Sequence, residues 1–354
     1  MYMDIAHPTT WPKPGPEPAR VKDDRLLERA DLLLPQEYIA DATQRIHDAK
    51  RRVRVIALTI ADEAETEALL DALVSAAHRG VDVHVAADTF TYADAAGRFV
   101  PKRYLTKRRR ASMDMATELT DAGATFDWLG QEAGLPWRGR THTKFCVVDD
   151  TVYSFGGVNL DDRGATNSDY MLRITDHRLA EDLVRVYART RHANSFFSGF
   201  RSSSLTYGKD QVLIDGGIPG DSIIYRRAVK YARKSKRIVL VSQYCPTGEL
   251  GKIVKSKNHE MWFNPPRNAS LFNRLLITAS MAFTRHHTLY RKSQYLHAKV
   301  MVFYLKSGKR VAITGSHNFV RGGVTLGTRE IALQTKNPLL IDEIEKFIEE
   351  RVRH

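Results

Sequence analysis

One pattern of residues occurs twice in this chain of 354 residues and constrains its fold more than any other feature. Each copy has a histidine and a lysine two positions apart, then an apolar run, then a turn of small residues that closes on asparagine. The first copy comprises His142, Lys144, Asp149, Gly156, Gly157 and Asn159, followed by Asp169; the second comprises His297, Lys299, Gly315, Ser316 and Asn318, followed by Glu330. A single HxK triplet arises by chance, but two such copies indicate an internal duplication and two similar halves.

The order of predicted elements also repeats. Apolar residues at helical spacing alternate with short runs rich in β-branched residues, first within residues 36–196 and again within residues 221–354. This alternation predicts an α/β fold in which each half is a mixed, mostly parallel sheet flanked by helices, with the two motifs facing each other where the halves meet. Residues 1–35 are predicted to be a flexible proline-rich arm and lead-in, and residues 197–220 a linker.

The net charge narrows the class of partner. The chain carries 54 Lys and Arg residues against 41 Asp and Glu, a formal net charge of +13, which favours anionic lipid or nucleic acid. No apolar run approaches the roughly 18–20 residues that cross a bilayer, and no signal peptide is predicted. We therefore expect a cytoplasmic protein, peripheral to the inner face of the membrane. Its two cysteines provide no disulfide framework.

A basic insertion follows the predicted strand at residues 81–88. The insertion precedes a predicted helix that starts at Met113, and it mixes aromatic residues with seven cations and no acid between Asp94 and Asp114. It leaves the C-terminal end of a strand, the edge at which open α/β sheets bind ligands. Such a loop suits an anionic membrane surface or a phosphate backbone. The cations are Arg98, Lys102, Arg103, Lys107, Arg108, Arg109 and Arg110.

The residue types of the doubled motif suit cleavage of a phosphodiester. Residues i and i+2 of a strand face the same side, so each copy presents its histidine and lysine together. One neutral imidazole can attack phosphorus, and the other, protonated, can release the leaving alkoxide and then activate water or an alcohol. Lys144 and Lys299 would bind the non-bridging oxygens, with hydrogen bonds from the two asparagines.

The two copies resemble the doubled HxK(x)4D(x)6G[GS]xN signature of the phospholipase D superfamily, and bacterial cardiolipin synthases in particular. The first copy fits this spacing throughout. The second departs from it, because Tyr304 stands in place of the aspartate and a longer turn separates it from Gly315. The departure concerns the motif aspartate of the second half and leaves its histidine, lysine and asparagine in place.

The resemblance implies roles for several residues. The carboxylates that follow the motifs would orient the histidines across the two halves, Asp169 holding His297 and Glu330 holding His142. Asp149 would be structural. The N-terminal histidine, His142, would form the phosphohistidine, and the C-terminal one would be the general acid and base.

Three functions remain open from the sequence. The first is phosphatidyl transfer between phospholipids, with a phosphatidylglycerol-like anionic lipid as the partner at a membrane surface. The second is hydrolysis by a phospholipase D or a metal-independent nuclease, with nucleic acid as the alternative partner. The third is a non-catalytic module that binds anionic lipid or nucleic acid. No metal site or cofactor is predicted, so activity is expected to survive chelators.

Overall fold

Strands and helices alternate along both halves of the chain. The computed structural model describes residues 30–91, 107–130, 139–195 and 198–354. The first half contains β1 (Asp31–Leu33), α1 (Pro35–Asp48), β2 (Arg52–Ala57), α2 (Glu67–His78), β3 (Asp82–Asp88), α3 (Lys107–Asp121), β4 (Thr125–Leu129), β5 (Phe145–Val148), β6 (Thr151–Ser154), α4 (Asp162–Thr166), β7 (Met171–Thr175) and α5 (His177–Ser195). The second contains β8 (Ser203–Tyr207), β9 (Asp210–Gly216), α6 (Ile223–Lys234), β10 (Ser235–Val241), α7 (Gly248–Lys255), β11 (Asn258–Trp262), α8 (Leu271–Thr284), β12 (Val300–Leu305), β13 (Arg310–Gly315), α9 (Arg321–Leu326), β14 (Arg329–Thr335) and α10 (Pro338–Phe347), which continues as a π-helical turn (Ile348–Arg353).

Each half forms one seven-stranded sheet from the described residues. The strand order is β1-β7-β6-β5-β2-β3-β4 in the first sheet and β11-β10-β12-β13-β14-β9-β8 in the second. When the second order is reversed, six consecutive strands of one sheet correspond to six of the other, from β1 and β9 at one end to β3 and β11 at the other. The first sheet has β4 in addition, and the second has β8. The mixed α/β fold of two similar halves is therefore confirmed.

Antiparallel pairs predominate in both sheets, so the prediction of mostly parallel sheets is wrong. Within the described residues the parallel pairs are β2–β3 and β3–β4 in the first sheet and β10–β11 in the second. The motifs themselves cause the difference. Each HxK strand, β5 or β12, returns through a short turn into the next strand, and a hairpin makes its two strands antiparallel.

The segment 197–220, predicted to be a linker, contains two strands of the second sheet. β8 and β9 form a hairpin around Gly208, and β9 pairs with β14. β9 takes the place next to β14 that β1 takes next to β7, so the second half begins at β9 rather than at residue 221. The Ser and Gly residues of this segment are typical of a loop, although β9 is almost entirely buried. β1 likewise lies within the predicted arm, whose residues 1–29 are outside the described ranges.

The two sheets share one core. One face of each sheet packs against α5 and α10, with Leu183 and Ile344 fully buried between them. The outer face of the first sheet is covered by α1 and α2, and that of the second by α6 and α7. Tyr170 and Thr314 join the halves through a hydrogen bond of 2.6 Å between their hydroxyl oxygens. This arrangement fixes the two HxK strands on either side of one interface.

Helix α3 begins at Lys107, earlier than the predicted start at Met113. The four cations Lys107–Arg110 therefore form the first helical turn instead of a loop. Cations at a helix N-terminus oppose the helix dipole, so a basic run does not by itself indicate a helix start. The remaining cations of the insertion, Arg98, Lys102 and Arg103, lie outside the described residues.

Candidate active site

Each HxK segment hydrogen-bonds to the opposite half of the protein. The backbone N–H of His142 donates to the carbonyl of Arg329 over 2.8 Å, and that of His297 donates to the carbonyl of Ser168 over 3.0 Å. Each acceptor immediately precedes the acidic residue that follows the motif of its own half. The main chain thus places each histidine beside a carboxylate of the other half.

The side chains complete this crossing. His142 Nδ1 lies 3.2 Å from Glu330 Oε1, and His297 Nδ1 lies 2.8 Å from Asp169 Oδ2. A carboxylate at Nδ1 fixes the orientation of the ring and leaves Nε2 available for chemistry. The crossed pairs implied by the resemblance are present. They differ in access, because the His142 side chain is 29% exposed and that of His297 is 9% exposed.

Two lysines are buried beside these pairs. Lys144 and Lys299 are each 2% exposed, and each Nζ donates to the backbone carbonyl of its own motif histidine, over 3.0 Å for Lys144. Burial lowers the pKa of Lys299 to about 7, and it also lowers the pKa of Lys144. Two buried cations with weakened hold on their protons mark a site adapted to receive an anion.

The charges around the two histidines are unequal. Burial lowers the pKa of His297 to about 4, and the charge of Lys299 acts in the same direction. Its ring is thus neutral near pH 7 and donates Nδ1–H to Asp169, whose pKa is lowered although burial opposes the shift. Burial alone would raise the pKa of Glu330, but its interactions with His142, His317 and Ser316 together outweigh burial and lower that pKa to about 2. The two histidines therefore differ, since His297 is neutral and enclosed whereas His142 is more open and faces Glu330.

The motif asparagines each hold a buried oxygen without a hydrogen-bond partner among the described residues. These atoms are Oδ1 of Asn159 and Oδ1 of Asn318. A buried polar atom left unpaired costs stability, so the same defect in both halves points to a bound group that completes the pairing. Rotation of either amide would present its NH2 group to a phosphoryl oxygen.

The small-residue turns pack closely against the site. A Cβ at Gly157 would lie 2.6 Å from Oδ2 of Asp169 and 2.9 Å from Nζ of Lys299, so a side chain is excluded there. In the second half Ser316 takes the corresponding place, and its hydroxyl donates to Glu330.

The first glycine of each turn lies against the neighbouring strand. A Cβ at Gly156 would lie 1.7 Å from the carbonyl oxygen of Tyr170, and one at Gly315 would lie 2.2 Å from that of Ile331. Both positions require glycine because of this close approach to main chain. They position the turns and do not reach the site.

Asp149 organises the backbone away from the two histidines. Its carboxylate accepts hydrogen bonds from all three backbone N–H groups of residues 50–52, over 2.9–3.1 Å. In the second half Tyr304 donates its hydroxyl to Glu345, and the guanidinium of Arg237 lies 4.5 Å from the centre of its ring. Both residues thus tie a strand end to its surroundings by different contacts.

We expect Asp149→Ala to lower the free energy of unfolding by about 2 kcal/mol, because three backbone N–H groups lose a charged acceptor. Asp149→Asn is the matched control, since it keeps one acceptor oxygen and tolerates the positive φ of 52° at this position. Urea denaturation of the three proteins would measure the difference. Equal stability of Asp149→Ala and wild type would contradict this role.

Two further residues position the motif histidines and were not predicted from the sequence. Asp88, at the end of β3, accepts the backbone N–H of Thr141 over 2.7 Å, and Asn264, just beyond β11, accepts that of Leu296 over 2.9 Å. Both are fully buried, and each holds the residue immediately before a motif histidine. A polar residue at the C-terminal end of an apolar strand was the available signal.

The described residues thus bring together two imidazoles, two ammonium groups, two amides and two carboxylates. Across those ranges no group of three or more His, Cys, Asp or Glu side chains is arranged to hold a metal ion. No helix within them is long and apolar enough to cross a bilayer. The assembled groups can bind phosphoryl oxygens, attack phosphorus and move a proton.

Comparisons with known proteins find one family model and several similar folds. Residues 42–190 match a family model described as cardiolipin synthase, PLD-like domain. The fold is similar to that of phosphatidylserine synthase from Haemophilus influenzae, with a TM-score of 0.68 and 15% identity over 92% of this chain and 88% of that one. It is also similar to polyphosphate kinase from Porphyromonas gingivalis, with a TM-score of 0.59 and 12% identity over 92% of this chain and 50% of that one. No curated protein matches the sequence.

The family model covers the first HxK motif, and the second motif lies in a half that repeats the same strand order. The resemblance predicted from the doubled motif is therefore confirmed as a similarity: residues 42–190 match a model of a phospholipase D-like domain.

Proposed function

We propose that this protein is a phosphatidyltransferase that moves a phosphatidyl group from a phosphatidylglycerol-like donor to an alcohol, at the inner face of the membrane. The observation that carries the proposal is the pair of crossed histidine–carboxylate contacts, flanked by two buried lysines, in one chain. A family model described as cardiolipin synthase and a fold similar to a phosphatidylserine synthase both support a lipid substrate.

The unequal surroundings of the histidines support a division of roles. The resemblance assigns attack on phosphorus to His142. Burial and charge favour the opposite assignment, because His297 is neutral and enclosed while His142 is more open and faces Glu330. A nucleophile must be neutral, and a general acid and base must reach both the leaving and the entering alcohol. We therefore assign attack to His297 and proton transfer to His142.

The reaction would proceed in two displacements. His297 Nε2 forms a bond to phosphorus as the P–O bond of the donor headgroup breaks, and His142 protonates the departing alkoxide. His142 then removes the proton of the incoming alcohol, whose oxygen attacks phosphorus and releases His297. Lys144 and Lys299 hold the non-bridging oxygens throughout, where their charges are strong because water is excluded.

A nuclease is the second candidate function. The net charge of +13 favours it, since a phosphate backbone offers the same phosphodiester with many neighbouring charges. The two-histidine chemistry would be unchanged, and only the groups that surround the diester would differ.

One reaction decides between these functions. Purified protein is incubated with phosphatidylglycerol vesicles and EDTA, with no added alcohol or with serine, and the lipids are followed by mass spectrometry beside a His142→Ala control. We expect cardiolipin, or the serine ester, from the wild type alone. Phosphatidic acid alone would identify a hydrolase. No lipid product, with labelled DNA cut under the same conditions, would contradict the lipid proposal and favour the nuclease.

A further inference from the structure

Helix α8 presents an apolar face to solvent. Its exposed large side chains are Leu275, Leu276 and Phe283, which are 65%, 46% and 89% exposed. Ala279 and Ala282 are exposed between them. At 100° per residue these five positions fall within one arc of about 120°, so they form a single stripe along the helix. We call these five residues the α8 apolar stripe.

The opposite face of α8 is the more polar one. Ile277 is buried there, and Asn273, Ser280, Met281 and Thr284 are partly buried beside it. A surface helix of a globular domain normally turns its apolar residues inward and its polar residues outward. Helix α8 departs from this arrangement, because it exposes large apolar side chains that the described residues do not cover, which marks an interaction surface.

The chain segment that contains the stripe carries positive charge without negative charge. Residues 261–329 contain 11 Lys and Arg and no Asp or Glu. Arg274 and Arg285, at the two ends of α8, are exposed, as are Arg267 and Arg291 in the flanking loops. An apolar stripe between exposed cations is complementary to an anionic membrane, in which acyl chains lie beneath charged headgroups.

Hydrogen bonds and one ring contact join α8 to His297. The hydroxyl of Tyr244 donates to Oδ1 of Asn273, in the first turn of α8, over 3.0 Å. Nε2 of Gln243 donates to the hydroxyls of Tyr244 and Tyr295, over 2.8 and 2.9 Å. The ring of Tyr295 stacks on that of His297 with centroids 6.4 Å apart. A surface that docks through α8 would therefore lie next to the candidate active site.

The other classes of occupant fit less well. A second copy of this chain, docked through the same face in a two-fold dimer, would bring two acid-free basic segments together. A nucleic acid would meet the cations but would leave the leucines and phenylalanine of the stripe in water.

We propose that α8 lies in the headgroup layer of an anionic membrane, with the α8 apolar stripe in the acyl boundary and the flanking arginines on the headgroup phosphates. The choice of lipid rests on the phosphatidyl transfer proposed above. This surface is separate from the basic insertion that the sequence suggested as a membrane contact.

A fluorescent probe at a single position tests whether α8 enters the membrane. Both native cysteines, Cys146 and Cys245, are buried, and burial raises the pKa of each thiol, so a polarity-sensitive fluorophore would label an added surface cysteine selectively. Phe283→Cys places it on the stripe; Leu339→Cys, at a leucine 64% exposed on α10, is the matched control. With phosphatidylglycerol vesicles we expect a blue shift and quenching by spin-labelled acyl chains for Phe283→Cys alone. No shift would overturn the proposal, as would a shift without vesicles that grows with protein concentration.

Vesicle sedimentation supplies the second measurement. We expect Leu275→Ser combined with Phe283→Ser to weaken binding to phosphatidylglycerol vesicles about tenfold or more, while Leu339→Ser leaves it unchanged. The double variant should keep wild-type activity on a soluble phosphodiester, because the stripe does not touch the site. Binding through α8 without any lipid product would uphold the docking and contradict the transferase. Wild-type binding and lipid turnover by the double variant would overturn the docking and leave the transferase standing.

Discussion

The His297→Ala variant should form no covalent phosphoenzyme and should lose about 10,000-fold or more in kcat, because the proposed nucleophile is absent. Labelled phospholipid, rapid acid-free quenching and mass spectrometry of peptides would locate the phosphoryl group. In the wild type we expect it on His297. A label on His142 would contradict the assignment drawn from burial and charge and would restore the one implied by the resemblance.

His142→Asn provides the matched comparison. With an ordinary lipid donor it should be inactive too, because no acid protonates the leaving alkoxide. With a p-nitrophenyl phosphodiester, whose leaving group needs no proton, the first step should proceed and the second should stall. The label should then accumulate on His297 in this variant, whereas His297→Ala should show none with either donor.

The doubled motif predicted the centre of the site because its information is local and repeated. The HxK spacing predicts histidine and lysine on one face of an extended segment, and the structure places each triplet immediately before a strand, β5 or β12. The resemblance implied that each of the two carboxylates contacts the histidine of the opposite half. In the structure the contacts of Asp169 with His297 and of Glu330 with His142 follow from main-chain bonds between the halves.

Other features depend on tertiary contacts that no local pattern encodes. Asp88 and Asn264 act on residues far away in sequence, and only the strand order brings them to the motif histidines. The unequal burial of the two histidines also arises from packing, since the motifs themselves are nearly identical.

Helix α8 shows a further gap between pattern and structure. Its residues predict a helix correctly, but periodicity reveals two faces without revealing which one the protein covers. Here the described residues cover the more polar face and leave the α8 apolar stripe exposed, with Phe283 89% exposed.

Lys299→Met should lower activity by about 100- to 1,000-fold, because a phosphoryl oxygen loses its cation. The same change should raise the free energy of unfolding by about 1–4 kcal/mol below pH 7, because an apolar side chain of similar length replaces a buried charge. Lys306→Met, at an exposed lysine of the second half, is the control that should alter neither. Urea denaturation should show the gain in stability, and turnover of a soluble phosphodiester should show the loss of activity.

The stability gain should depend on pH with a defined sign. The pKa of Lys299 is about 7 in the folded protein against an ordinary value of 10.5. Between these values the unfolded chain holds a proton that the folded chain has released, so Lys299 makes wild-type stability rise with pH across that window. The free-energy cost of burying the charged Lys299 side chain is fully present below pH 7. The advantage of Lys299→Met should therefore be largest there and shrink as pH rises toward 10.5. A variant less stable than wild type below pH 7 would mean that attraction to Asp169 and Glu330 outweighs burial.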